Sequence, residues 1–391
     1  MQKKIIALAI AAAISAPAFA DTSNVTVYGK FDMSYDSIKT GNSTAGAQGI
    51  SSNRISSNTT LLGLKGSEDL GDGLSAIWQI ESLVTPGSAN TANTLGTRNT
   101  FAGLSSAAAG TVLLGRHDTP YKISTRAYDV FGDGIADNRS IMGGGVNAVA
   151  SFDGRQDQVV AYISPKLGGV ATLAIGYVAL SPLNNIATQS KNTATSVAGM
   201  FDIGSGFGAA LAYEVHDLGA GNFAGLGTVG AGGLAANAAF AGAKEKATKI
   251  GATYTQDAIN VNFAYEKSSD NAGAAGANAE GHSNYYLSGK YSVTANDAVK
   301  LAYAHAGQIN GLANTDSKQV TVGYDHSLSK RTTVYALYTK LSNGSAAAYQ
   351  LGSGTASVGG YTTLAGATAA NAALGAGASP SALAFGLKHT F

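Results

Sequence analysis

The chain has 391 residues, no cysteine, 51 glycines, 18 tyrosines and 6 prolines, and a formal net charge of +1. The absence of cysteine excludes thiol catalysis, disulfides and cysteine-based zinc sites. The near-neutral balance gives no basic field for nucleic acid and no acidic excess of the disordered kind, and 13% charged residues is low for a soluble enzyme of this length.

The N-terminal segment reads as an export signal. Lys3 and Lys4 form the positive region, Ile5 to Ile14 the apolar region, and Ala18-Phe19-Ala20 a small-residue cleavage site. Cleavage is expected before Asp21, leaving 21–391 as a single domain. No later apolar run is long enough to span a bilayer as a helix, so membrane residence would have to be by strands. The first strand is expected over Val25–Asp36: Val25, Val27, Phe31, Met33 and Tyr35 share one face, while Thr26, Lys30, Asp32, Ser34 and Asp36 share the other. A period of two with apolar and charged faces suits a half-buried strand of a soluble sheet or a strand of a transmembrane barrel.

Further strands are expected at Arg54–Gly66, Leu74–Ser82, Arg98–Leu104, Thr111–Arg116, Gln156–Ser164, Val170–Val178, Thr195–Asp202 and Phe207–His216. The rest are Lys246–Thr255, Ile259–Glu266, Asn284–Tyr291, Val299–Ala306, Gln319–Asp325, Thr332–Thr339 and Leu383–Phe391. With the first they make sixteen, an even number as bacterial barrels require. Connections alternate in length. Ser105–Gly110, Ile203–Gly206, Gln256–Ala258 and His326–Arg331 are short; Leu83–Thr97, His117–Arg155, Asp217–Glu245, Lys267–Ser283 and Lys340–Ala382 are long. A soluble sandwich has no reason to keep that asymmetry, whereas an outer-membrane barrel does. The stretches 219–243 and 342–381 are rich in Gly, Ala, Ser and Thr and read as surface loops, with Gly too frequent for stable helices.

The final strand alternates to the last residue. Leu383, Phe385, Leu387, His389 and Phe391 fall on one face, and a strand that would fray in water is expected to be paired to its end. The reading is therefore an all-β fold, a sixteen-stranded antiparallel transmembrane β-barrel. Charges on the lipid face cost ~2–4 kcal/mol at mid-membrane. Lys30, Asp32, Glu81, Arg98, Arg116, Glu214, Glu266, Lys290 and Lys300 are therefore expected to face an aqueous lumen. Tyr28, Tyr35, Tyr162, Tyr177, Tyr213, Tyr254, Tyr265, Tyr291, Tyr303, Tyr324, Tyr338 and Phe391 suit interfacial girdles, and Trp78 a lipid-facing position. No catalytic constellation is expected: His117, Asp118 and Ser124 lack a nucleophile elbow, the six histidines lack zinc spacing, and no metal or cofactor is implied.

Several blocks resemble general bacterial porins of the β-proteobacterial type. These are Gly63-Leu64-Lys65-Gly66-Ser67-Glu68-Asp69-Leu70-Gly71-Asp72-Gly73-Leu74, Gly110-Thr111-Val112-Leu113-Leu114-Gly115-Arg116, Leu328-Ser329-Lys330-Arg331-Thr332-Thr333-Val334-Tyr335 and the closing Phe385-Gly386-Leu387-Lys388-His389-Thr390-Phe391. The resemblance implies a water-filled homotrimeric outer-membrane channel for passive diffusion of small hydrophilic solutes and ions. It has short periplasmic turns, long extracellular loops and a third loop, within His117–Arg155, folded into the lumen. It also implies that the loop Leu83–Thr97 latches onto a neighbouring copy and that Phe391 belongs to an assembly signal. The constriction implied has Asp118, Asp129, Asp133 and Asp137 facing Arg98, Arg116 and Lys30, with only weak ion preference, leaning cationic if acids outnumber arginines at the narrowest ring. Two places where relatives carry basic residues hold Leu61 and Ala161, which thins the basic wall. The alternative within the same fold is an adhesin or structural barrel with a plugged lumen.

Overall fold

Residues with alternating faces form strands almost everywhere in the computed structural model. It describes residues 24–44, 46, 48–86, 95–144, 151–179, 193–217, 243–271, 276–278, 281–347, 349–352 and 376–391. The segment 1–20 read as a signal lies outside the described residues, as do 219–242, 353–375, and 87–94 of the expected latch. The strands are β1 (Asn24–Lys39), β2 (Ser51–Ser57), β3 (Leu61–Gly71), β4 (Leu74–Leu83), β5 (Thr100–Ser106), β6 (Gly110–Asp118), β7 (Arg155–Ile163), β8 (Ala171–Ala179) and β9 (Thr193–Gly204). They continue with β10 (Phe207–Asp217), β11 (Lys244–Gln256), β12 (Ile259–Asp270), β13 (Ser283–Ser292), β14 (Asp297–Ala306), β15 (Ser317–Ser327), β16 (Thr332–Asn343) and β17 (Ser381–Thr390).

From β3 onward each strand pairs antiparallel with the next, and β17 returns to β1 with a register running from Lys30↔Thr390 to Lys39↔Ser381. The ring is closed, so no edge is left unpaired in a medium that offers no hydrogen bonds. β1 pairs with both β2 and β3, which are two halves of one stave, so the barrel has sixteen staves. The continuous strand expected over Arg54–Gly66 is broken at 58–60. There Thr59 takes a φ of 61°, and the register against β1 slips between Met33↔Ser57 and Lys30↔Leu61. The Asn58 N–H donates to the Asp32 carbonyl at 2.7 Å and the Asp32 N–H donates to Thr60 Oγ1 at 3.0 Å, so the bulge keeps its backbone partners.

Parity divides lipid from lumen. On β1, Val25 and Val27 are each 59% exposed while Asp32 and Asp36 are 3% and 0%. On β17, Leu383, Phe385 and Leu387 face out while Ala382 and Ala384 are covered. Trp78 lies on the outer face across Gly66, whereas Tyr28 departs from the expected girdle: it lies inward across Gly63 and donates to Glu81 at 3.0 Å. The other girdle residues include exposed Tyr35, Tyr162, Tyr177, Tyr213, Tyr291, Tyr324 and Tyr338.

Turns at one end are short: 72–73, 107–109, 164–170, 205–206, 257–258, 293–296 and 328–331. Asp72-Gly73 and Ser205-Gly206 take positive φ at both residues, the backbone twist that a two-residue hairpin needs. Every connection at the other end is longer, including 40–50, 180–192 and 307–316 beside those expected. Closure is completed by Phe391, whose N–H donates to the Gly29 carbonyl and whose carbonyl accepts from the Gly29 N–H, each at 3.1 Å. Its ring lies 6.2 Å from that of Phe31. Deleting Phe391 removes this clasp and is expected to slow assembly. The check is outer-membrane yield of folded protein, and an unchanged yield would contradict it.

Candidate pore constriction

The third long loop, 119–154, turns inside the barrel. It starts with α1 (Pro120–Thr125), capped by Thr119 Oγ1, which accepts from the Lys122 N–H at 3.3 Å, and with Pro120 at the first turn where its missing N–H costs nothing. Single 3-10 turns follow at Arg126–Tyr128 and Asn138–Ser140. The wall makes room for the loop with small inward residues. Tyr121 and Phe152 pack on Ala198, Ala212 and Ala247; Phe131, Ile135, Ile141 and Met142 pack among Ala264, Ala302, Ala304, Ala306 and Ala384. At Gly323 a Cβ would lie 2.6 Å from Phe131 Cε1, and at Gly251 2.6 Å from Tyr128 Cε2, so only glycine leaves space for these rings.

Polar anchors follow the same path. The Tyr121 N–H donates to Ser196 Oγ at 2.8 Å, Ser288 Oγ to the Tyr128 carbonyl at 2.6 Å, and Tyr286 Oη to Asp129 at 2.7 Å. Glu266 accepts from the Gly143 N–H at 2.6 Å and from Tyr121 Oη at 3.1 Å. Lys249 meets Asp153 at 2.5 Å, Ser140 bonds Gln319, and Lys30 reaches Asp133 at 3.3 Å. The loop is therefore held along the inner wall from β9 round to β1. Glu214 and Glu266 face inward as their parity requires, but they lie buried rather than open to water. Glu214 and Glu245 flank His216, at 2.7 and 2.5 Å from its two ring nitrogens, and Phe152 stacks on that imidazole at 4.6 Å. Each ring nitrogen of His216 therefore has a carboxyl oxygen as its hydrogen-bond partner.

The residues singled out from the sequence fall into separate groups. Arg126 binds Asp129 at 3.4 Å, Asp133 at 3.0 Å and Asp137 at 2.7 Å; Arg139 binds Asp137 at 2.8 Å. Asp118 pairs with Lys122 at 2.8 Å and Arg155 at 3.1 Å. Arg98 pairs with Glu81, and Arg116 with Asp157 at 2.5 Å. Of the strand cations named, Lys30 alone forms an ion pair with the acids of 129–137 among the described residues; Arg98 and Arg116 do not. The expected facing of loop acids by these two arginines is thus replaced by pairing within the loop and within the wall. Arg126 and Arg139, basic residues of the same loop in the sequence, are the partners that the expected constriction did not include, although their spacing of three and two residues from an acid was a usable signal.

The electrostatics follow the geometry. Burial alone would raise the Asp137 carboxyl, but Arg126 and Arg139 hold it well below the ordinary range. Burial likewise opposes ionisation of Asp133, and Arg126 and Lys30 outweigh it. Burial and the adjacent charge of Asp137 push Asp129 up. Burial brings the Lys122 ammonium down to about 8, against the pull of Asp118. Beside the loop a cavity of about 110 Å³ is lined by Phe131, Asn58, Tyr335, Lys300, Lys388 and Asp32, with Lys300 on Asp325 at 2.8 Å and Lys388 on Asp32 at 3.5 Å. Leu61 and Ala161 both lie covered, where cations would have added to the wall.

A closed sixteen-stave barrel with an apolar exterior, an ionisable interior and one loop folded within it defines a transmembrane channel of the outer-membrane type. A family description of a Gram-negative porin matches residues 7–346, and the chain belongs to that family and to the outer membrane. Outer membrane porin protein 32 of Delftia acidovorans is 28% identical over 348 residues, covering 88% of this chain and 90% of that protein. An outer membrane porin of Bordetella pertussis is 32% identical over 190 residues, 45% of this chain and 48% of its own. Among solved structures, an anion-selective porin from Comamonas acidovorans superposes with a TM-score of 0.72 at 24% identity, covering 95% of this chain and all 100% of its own. OmpT of Vibrio cholerae in a trimer form gives 0.64 at 14% identity, covering 95% and 100%.

Proposed function

We propose that the barrel is a water-filled channel through which small hydrophilic solutes and ions diffuse passively, with a weak selectivity that leans towards anions. The observation that carries this reading is the exposure of charge along the loop. The side chains of Asp129 and Asp137 are 0% exposed, so Asp133 at 29% is the one acid of that group that solvent reaches, against Arg126 at 22%, Arg139 at 16% and Lys30 at 16%. The lean towards cations required acids to outnumber arginines there, and burial of two acids removes that condition. Nearly all these charges are paired, so the local field is large and the net bias small. The relative described as anion-selective supports the sign. The test is reversal potential across a planar bilayer in a salt gradient. A small displacement on the anion side is expected; a displacement on the cation side would contradict it.

In the same reading, residues 1–20 are removed on export, the long loops face the exterior, and three copies associate. Association is supported by an apolar groove of about 640 Å³ on the outer face, lined by Tyr35, Ile55, Val334, Ala336, Phe385 and Leu387 across the first and last staves. Native mass in mild detergent should be three times that of the mature chain. A monomeric mass with full channel activity would refute the assembly.

A further inference from the structure

The tip of the inward loop, 130–135, stands off the inner wall of β14 to β17 and β1 and leaves the cavity of about 110 Å³ between them. The wall supplies two ion pairs. Lys300 on β14 meets Asp325 on β15 at 2.8 Å, and Lys388 on β17 meets Asp32 on β1 at 3.5 Å. Lys388 lies directly across the ladder from both Asp32 and Thr333, and Asp325 lies across from Tyr335. The four charges therefore form one patch, near the short-turn ends of their strands. Loop and wall together add an apolar lining of Val130, Phe131, Ile135, Leu337 and Ala384.

The patch is held in place yet keeps binding capacity. Tyr335 Oη donates to Asp32 Oδ1 at 2.9 Å and accepts from Asn58 Nδ2 at 2.9 Å, which fixes that carboxylate. Lys300 Nζ lies 4.9 Å from the centre of the Phe131 ring, so charge and apolar surface adjoin. An ammonium has three donors and a carboxylate about four acceptor sites, so neither pair is saturated. The Lys388 side chain is 43% exposed and that of Asp325 22%, which opens one charge of each sign to the lumen. At Gly134 a Cβ would meet nothing nearer than 3.8 Å, so glycine there keeps the nook open. A water needs about 10–15 Å³ of such space, so the nook has room for a solute of several non-hydrogen atoms.

We propose that this nook is a transit site for zwitterionic solutes, namely α-amino acids with a small apolar side chain. The four wall charges sum to zero, so a ligand with one net charge leaves an uncompensated charge in a partly buried place. A ligand carrying both signs does not: its carboxylate meets Lys388 or Lys300, and its ammonium meets Asp325 or Asp32. Charge-assisted hydrogen bonds are roughly twice as strong as neutral ones, which favours a zwitterion over a polyol of equal size. The apolar lining takes the side chain. A site inside a channel must also release its solute, so affinity in the millimolar range is expected. The inference rests on the proposed open lumen for its role in transit, whereas binding itself is measurable without conduction.

The test titrates the full chain, folded in a neutral detergent, with L-valine and follows broadening of the ligand's proton resonances. Isobutylamine keeps the ammonium alone, isovalerate the carboxylate alone, and erythritol the size without charge. Valine should bind about tenfold more tightly than any of the three. Gly134→Leu fills the nook, and Lys388→Gln with Asp325→Asn removes one charge of each sign; each variant should weaken valine binding by about that factor. Lys267→Gln, on the outer face, should bind as the parent does. Strand content by circular dichroism verifies folding of each variant. Isovalerate bound as tightly as valine would assign the nook to monoanions, and erythritol bound as tightly would assign it to polyols; either result overturns the proposal. Valine binding undiminished in the Gly134→Leu variant would overturn it too. Valine binding by a chain that carries no current would support the site and contradict the channel reading. Steady current without saturable valine binding would overturn the site and leave the channel reading intact.

Discussion

Replacing Asp137 by alanine should loosen the inward loop more than any other single change to it. The carboxylate is fully buried, pairs with Arg126 and Arg139, and accepts from the N–H groups of Asp133 at 2.7 Å and Arg139 at 2.8 Å. Its removal leaves two largely buried guanidinium groups facing each other, and breaking such a pair costs about 3–5 kcal/mol. The barrel itself should persist, because its ladder hydrogen bonds do not pass through the loop. The expected record in a planar bilayer is a raised and noisy conductance in place of a steady level. The pH dependence has a definite sign. A carboxyl whose pKa is depressed on folding contributes stability above its unfolded value of about 3.9, and that stability is lost only as pH falls through the lower folded value. Asp137 is depressed, so the parent channel should keep its steady level from pH 7 to pH 4. Asp129 is shifted the other way by burial and by Asp137, so it takes up its proton first as pH falls.

Lys30→Glu should give the largest change in ion preference. Lys30 stands between Asp133 at 3.3 Å and Asp32 at 3.8 Å. The substitution places three carboxylates together and removes the clasp between loop and wall. Screening at physiological salt extends over ~8 Å, so a passing ion feels this change directly. Reversal potential should cross to the cation side. Arg116→Gln should leave it close to the parent value, because Arg116 is matched by Asp157 and its Nε donates to the Thr97 carbonyl at 3.1 Å. A Lys30→Glu channel with the parent's reversal potential would place the constriction elsewhere.

The staves were legible because their information is local. A charge on the wrong face is costly, so parity separates Val25 and Phe31 from Asp32 and Asp36 without knowledge of any partner. The bulge at 58–60 was not legible, since it arises from a register between β1 and two later segments, and nothing in Asn58-Thr59-Thr60 announces a positive φ. The loop's charges were named correctly and paired incorrectly. Asp129 and Asp137 lie three and two residues from an arginine of their own loop, and such neighbours close an ion pair without waiting for a wall across the lumen. Lys249 with Asp153, and Tyr286 with Asp129, join residues distant in sequence, so only the folded path of the loop brings them together. The alanines that bed the loop were on the inward parity of their strands, a signal readable in retrospect as space left for a second layer.

Single-channel current of the purified chain in a planar bilayer tests the central claim most directly. An open lumen narrowed by the loop should give stepwise insertions, each with steady, near-linear current across moderate voltages. Folded protein that inserts into the bilayer yet carries no current would mean a plugged barrel, and would contradict the account.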